Sequence, residues 1–136
     1  MPAVDSCEPA VIRAFEKAGW EILEQPVKLL IAKKEIFLAD LRLRQVASHQ
    51  TVVVVEVKCF SSENVLPDFY SAIGQYLHYR AALAIMGIDE PVYLSIPLSI
   101  FDDFFRRSSV QYVINDVKIK LVIVDLDHEE ILQWIG

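Results

Sequence analysis

The sequence predicts an α/β or α+β fold in three layers, a central mixed β-sheet flanked by helices. Two observations carry that expectation. Val52 to Val55 form an uninterrupted apolar run closed by Glu56-Val57-Lys58, the pattern of a strand buried on both faces. Around it, apolar stripes at helical spacing alternate with short β-type segments, so the order reads helix, three or four strands, helix, strand, then a mixed C-terminal part. The 136 residues fit one domain, 1–136, and 54% hydrophobic content is ample for one core.

Each element has its own local signal. Ser6 is a suitable N-cap for a first helix to about Ala18, with Val11, Ile12, Ala14, Phe15 and Ala18 making an apolar stripe and Gly19 a stop. Trp20–Leu23, Val27–Ala32 and Glu35–Leu43 read as strands, the last two joined by a turn at Lys33-Lys34, and Thr51–Cys59 holds the valine run. Asn64 can cap a second helix that tolerates Pro67 in its first turn and runs to about Met86 before Gly87. Pro91–Ile96 reads as a buried strand stopped by Pro97. Helices follow at Ser99–Arg106 and Ser109–Asn115, then strands at Leu121–Val124 and Ile131–Ile135 around a turn at Asp125–Glu130. Phe101, Phe104 and Phe105 belong to the core by the usual preference of Phe for interiors.

Charge narrows the function. Nineteen acidic against thirteen basic residues give a formal charge of -6, which argues against broad, nonspecific affinity for phosphate backbones. Any nucleic-acid role must be local. No apolar stretch approaches the roughly 20 residues that cross a bilayer, and the N-terminal residues lack a basic region followed by an apolar one, so a soluble, cytoplasmic protein is expected. Cys7 and Cys59 form no metal-like cluster and are expected to be reduced and structural.

Glu56 and Lys58 are two apart on a strand and emerge on one face, while Val55 and Val57 point the other way. Ionised groups ending a buried strand are rarely buried unless paired or bound to a metal. Asp40 closes another apolar run, Ile36 to Ala39, and the fifteen residues between it and Glu56 allow an antiparallel return that sets the two side by side. Hydrolysis of a phosphodiester asks for a divalent cation and a further positive charge near the reacting phosphorus. Asp40, Glu56 and the backbone carbonyl of Val57 can supply oxygen ligands for Mg2+ or Mn2+, and Lys58 the charge. The ordinary reading of the same residues is a solvated strand end whose ion pair contributes about 0 to 1 kcal/mol. On the next helix Gln75 and Tyr79, four apart, share a face, and Gly74 beside them would cost about 1 kcal/mol relative to Ala unless close packing requires it. Arg42 and Arg44 lie two and four residues beyond Asp40 and share its face if the strand continues, which makes them the phosphate contacts nearest the site.

Asp40, Glu56-Val57-Lys58 and Gln75-x-x-x-Tyr79, in this order, resemble the PD-(D/E)XK nuclease superfamily and the Gln-x-x-x-Tyr motif of its RecB-like branch. Over essentially the whole chain, Met1-Pro2-Ala3 with Asp5, Gly19-Trp20, Val55 to Lys58, Gly74-Gln75-Tyr76 with Tyr79-Arg80, Tyr93-Leu94 with Ile96-Pro97, and Gln133-Trp134-Ile135 look like the XisH family of fdxN element excision controlling factors, found mainly in cyanobacteria. The resemblance implies a restriction-endonuclease-like core and a role in site-specific excision of a DNA element during heterocyst development, with an XisI-like companion protein and a separate recombinase as partners. It makes Asp40 and Glu56 metal ligands, Lys58 the catalytic lysine, and Gln75 with Tyr79 the supporting pair. Glu8 is a further candidate ligand on the first helix, at about the place where XisH-like chains often carry histidine.

Two functions of different class follow. One is a magnesium-dependent endonuclease or nicking component acting on DNA; the other is a noncatalytic adaptor that keeps the nuclease fold and works through a protein partner, which the acidic balance favours. A homodimer is the default assembly for a small soluble protein.

Overall fold

Val52–Val57 form a strand buried on both faces, as the valine run predicts. The computed structural model, which describes residues 7–61 and 63–136, runs α1 (Glu8–Lys17), β1 (Trp20–Glu24), β2 (Val27–Ile31), β3 (Glu35–Ala39), β4 (Leu41–Gln45), β5 (Val52–Val57), α2 (Val65–Ile85), β6 (Val92–Pro97), α3 (Leu98–Asp102), a 3-10 turn (Phe104–Arg106), α4 (Ser108–Asp116), β7 (Leu121–Asp125) and β8 (Glu130–Ile135). Six strands make one mixed sheet in the order β1-β4-β5-β6-β7-β8, parallel across β5, β6 and β7 and antiparallel elsewhere. β2 and β3 form a separate antiparallel hairpin.

Alternation along the strands divides the core in two. Val53, Val55 and Val57 join Leu41, Leu43, Val122 and Val124 beneath Val11, Ala14 and Phe15 of α1. Val54 turns to the other side, where Leu94, Ile96, Leu121 and Ile123 meet Phe69, Ala72, Tyr76 and Tyr79 of α2, together with Phe104 and Phe105. The result is the helix, sheet, helix sandwich read from the sequence. The sheet also curls around α1. Trp20 of β1 and Trp134 of β8 stand on opposite edges, yet their rings lie 5.5 Å apart, and Phe15 sets its edge against both at 6.3 and 5.9 Å.

Three expectations change. The single strand at Glu35–Leu43 is two strands, broken at Asp40: β3 pairs with β2 in the hairpin, whereas β4 pairs with β1 and β5 in the main sheet. The single helix at Ser99–Arg106 breaks at Asp103, whose ψ of -78° departs from helical backbone. Cys7 and Cys59 are not reduced thiols; they form a disulfide. Their 52-residue separation hides the proximity, which arises because α1 begins over the end of β5 and brings the Cα atoms to 5.8 Å. The Ser6 cap falls outside the described residues. Cys7 itself precedes α1 and makes no side-chain cap hydrogen bond.

Tyr76, 1% exposed, donates its hydroxyl proton to the Val92 carbonyl at 2.7 Å and accepts the Lys120 N–H at 3.0 Å, so one phenol links β6 to the start of β7. Tyr76→Phe removes the acceptor of a partly buried N–H and is expected to lower unfolding free energy by about 1–3 kcal/mol in urea titration. Gly74 has open space where a Cβ would sit, so close packing does not explain it. Gly74→Ala is therefore expected to raise the urea midpoint, with a gain of about 0.5–1 kcal/mol.

Candidate functional site

β4 and β5 pair antiparallel with Leu41 opposite Val55 and Arg42 opposite Val54. One further step of that register sets Asp40 opposite Glu56, on the face that Val54 shares. The even-numbered N–H groups of β5 turn toward β6, as Val54 N–H to Pro91 O (2.9 Å) and Lys58 N–H to Ser95 O (3.0 Å) show. The N–H and C=O of Val57 therefore turn the other way, past the point where β4 begins. There Asp40 Oδ2 accepts the Val57 N–H at 2.8 Å. Lys58, whose backbone continues the pairing with β6, follows Glu56 on the same face by strand alternation.

Glu56 is 3% exposed and Asp40 is half-buried. α2 covers them. Tyr79 donates its hydroxyl proton to Leu38 O at 2.9 Å. Its phenol pKa is raised, first by burial and then by the charges of Glu56 and Asp40. A phenol that feels both carboxylates ties positions 40, 56 and 79 to one place, and keeps Tyr79 a hydrogen-bond donor at neutral pH. One turn earlier on the helix, Gln75 Oε1 is buried and accepts no hydrogen bond from the described residues.

Glu8, the first residue of α1, is also 3% exposed and accepts a long hydrogen bond, 3.4 Å, from Gln25 Nε2. The Cys7–Cys59 bond fixes this helix start beside the end of β5, the end that carries Lys58. Gln25 has no counterpart in the sequence reading; no spacing links residues 8 and 25, and only the approach of α1 to the end of β1 joins them.

Arg42 and Arg44 do lie on the strand beyond Asp40, but carboxylates already meet them. Arg42 forks onto Glu90 at 2.8 and 2.7 Å and reaches Glu24 at 3.2 Å, and Arg44 bonds Glu21 at 2.7 Å. Arg80, another basic residue near the helix motif, bonds the Val117 carbonyl at 2.8 Å.

Among the described residues no three His, Cys, Asp or Glu side chains gather closely enough to hold a metal ion. Asp40, Glu56 and the Val57 carbonyl could supply only hard oxygen ligands, the kind preferred by a cation like magnesium that keeps several of its waters. No helix of the described residues is long and apolar enough to cross a membrane.

The family model for XisH protein matches residues 1–132 of the chain. A solved XisH family protein from Nostoc punctiforme is 28% identical, with a TM-score of 0.87 over 97% of this chain and 100% of that one. A solved fdxN element excision controlling factor protein from Anabaena variabilis is 26% identical, again with a TM-score of 0.87 and coverage of 97% and 100%. No curated protein matches the chain.

The convergence at Tyr79 has a direct readout. Neutralising either carboxylate, in Asp40→Asn or Glu56→Gln, is expected to bring the Tyr79 phenol pKa down, because each charge contributes to its rise. The Cζ chemical shift followed through an alkaline titration measures this; a titration unchanged in both variants would separate the phenol from the acids.

Proposed function

The chain belongs to the XisH family, and from that membership we propose that it takes part in site-specific excision of a DNA element as a magnesium-dependent endonuclease-like protein of the PD-(D/E)XK superfamily. The observation that carries the reading is the β4–β5 register, whose next step sets Asp40 opposite Glu56 with Lys58 following on the same face. Asp40, Glu56 and the Val57 carbonyl would hold Mg2+ or Mn2+, which when bound polarises a phosphoryl oxygen and lowers the pKa of a coordinated water.

The other roles belong to the chain itself. Lys58 places a positive charge where a scissile phosphate accumulates negative charge. Gln75 Oε1, buried and accepting no bond from the described residues, orients a water by accepting a hydrogen bond from it. Tyr79 stays protonated and holds Leu38, two residues before Asp40, so that the carboxylate keeps its direction. Glu8 adds a carboxylate from the α1 side. In this reading DNA is the substrate, a separate recombinase and an XisI-like companion are the partners, and the setting is the cytoplasm; assembly as a homodimer belongs to the same proposal.

A second reading has its own support. Arg42 and Arg44 are held by Glu90, Glu24 and Glu21, and the chain carries a net charge of -6, so little basic surface is left beside the site. A noncatalytic adaptor that keeps the nuclease fold and acts through a protein partner accounts for that surface. Equally, a partner could supply the cationic face to an active site.

Purified protein, with and without its companion, on supercoiled, branched and element-end DNA with magnesium or manganese decides between them. Cleavage that falls about 100-fold or more in Lys58→Ala, with the fold intact by circular dichroism, is the expected outcome, in line with removal of one transition-state charge contact. Cleavage unchanged in Lys58→Ala would remove the hydrolytic reading. Co-purification with the companion and no heat of metal binding in calorimetry would select the adaptor.

A further inference from the structure

The basic residues of the chain divide into those already engaged and those left open. Arg13, Arg42, Arg44 and Arg106 pair with carboxylates, Lys17 and Arg80 donate to backbone carbonyls, and Arg107 and Lys120 lie over aromatic rings. Among the described residues no acidic side chain pairs with Lys28, Lys33 or Lys34, and all three are exposed. They sit on one element, the β2–β3 hairpin, whose second strand ends immediately before Asp40. Resting on the reading that DNA is the substrate of the Asp40–Glu56 site, we propose that this hairpin is the DNA-contacting arm of the chain, with Lys28, Lys33 and Lys34 taking backbone phosphates beside that site.

Register and alternation place the arm. Lys28 stands opposite Leu38, whose carbonyl accepts the Tyr79 hydroxyl and which lies two positions before Asp40. At about 3.3 Å per residue that position is roughly 7 Å along the strand from Asp40, and the turn at Lys34 roughly 20 Å. Such a length matches about six base pairs at 3.4 Å each. Val27, Leu29 and Ala39 are buried in the α2-side core and fix the hairpin by its inner face. Lys28 turns the other way, with Leu30 and Ile36, which pair across the strands at 39% and 55% exposure. A two-stranded ribbon with one face open is an element that the major groove admits.

Charge and backbone agree with that use. Residues 27–39 hold three lysines against one glutamate, Glu35, so the hairpin is locally positive in a chain of net charge -6. Phosphate attraction is therefore concentrated there. At the turn Ala32 and Lys33 hold φ of 53° and 59°, closed by the Lys34 N–H to the Ile31 carbonyl at 3.0 Å. Asn or Gly fits that left-handed backbone with less strain, so turn formation alone does not explain Lys33. A cation presented at the tip does.

The test measures binding of the full chain to two labelled duplexes of unrelated sequence by fluorescence anisotropy across a salt series, in EDTA so that the metal site does not enter. Lys28→Gln/Lys33→Gln/Lys34→Gln is expected to weaken binding to both duplexes by the same factor. It should also lower the slope of log affinity against log salt by about 2 to 3, since each phosphate contact contributes about 0.9. Lys33→Asn separates charge from folding: the slope falls by about 1 while the urea midpoint stays at or above the native value. Lys118→Gln removes an exposed lysine outside the hairpin and should leave the slope native. A native chain that binds neither duplex, a triple variant with native affinity and slope, or a loss in Lys118→Gln equal to that in Lys33→Asn would overturn the proposal. So would a triple variant that still binds DNA but no longer retains the XisI-like companion, because the hairpin would then dock a protein. Cleavage in magnesium is scored separately. DNA bound through the hairpin but never cut removes the hydrolytic reading and leaves the arm, whereas cleavage by the triple variant with native KM removes the arm and leaves hydrolysis.

Discussion

The hydrogen bond from the Val57 N–H to the Asp40 carboxylate is the contact on which both the sheet and the site depend. At Asp40 the chain leaves the β2–β3 hairpin and enters the main sheet, and the ladder between β4 and β5 runs no further than Leu41 opposite Val55. A buried strand N–H left without an acceptor costs about 1–3 kcal/mol. The carboxylate fills that place at 2.8 Å and is thereby fixed across from Glu56. Tyr79 braces the other side of the break by bonding the Leu38 carbonyl. One interaction thus ends a strand, redirects the chain and aims a candidate ligand.

The price of such a site is buried negative charge. Glu56 and Glu8 are each 3% exposed, and an ionised carboxylate is costly out of water unless hydrogen bonds or cations compensate it. The molecule gathers these acids at one end of the sheet while meeting its nearby arginines with other carboxylates on β1 and before β6. Burial on this scale makes both carboxylates depend on polar partners within the fold.

Helix α1 is what relates the far edges of the fold. Its middle packs Phe15 between Trp20 and Trp134, which closes the curled sheet around it. Its C-terminal half is tied to the β7–β8 turn by Lys17 Nζ to the His128 carbonyl at 2.8 Å and by the Arg13–Glu129 ion pair. Its first turn is tied to the end of β5 by the Cys7–Cys59 bond and, through Glu8, to Gln25.

Local chemistry determined a good deal. The valine run dictated a strand buried on both faces, because four adjacent β-branched residues leave no polar side to turn to water, and Glu56-x-Lys58 had to share a face because the strand period is two. The extent of α2 was legible from its apolar spacing and from Gly87 beyond its end. What the tertiary structure alone decided was who meets whom. Glu35–Leu43 reads as one strand, since its apolar residues are continuous, and only the competition of two sheets for its two halves breaks it at Asp40. Arg42 and Arg44 read as free cations until Glu90, Glu24 and Glu21 arrive from other elements. Cys7 and Cys59 read as separate thiols because a sequence records distance along the chain, whereas a disulfide answers to distance through space.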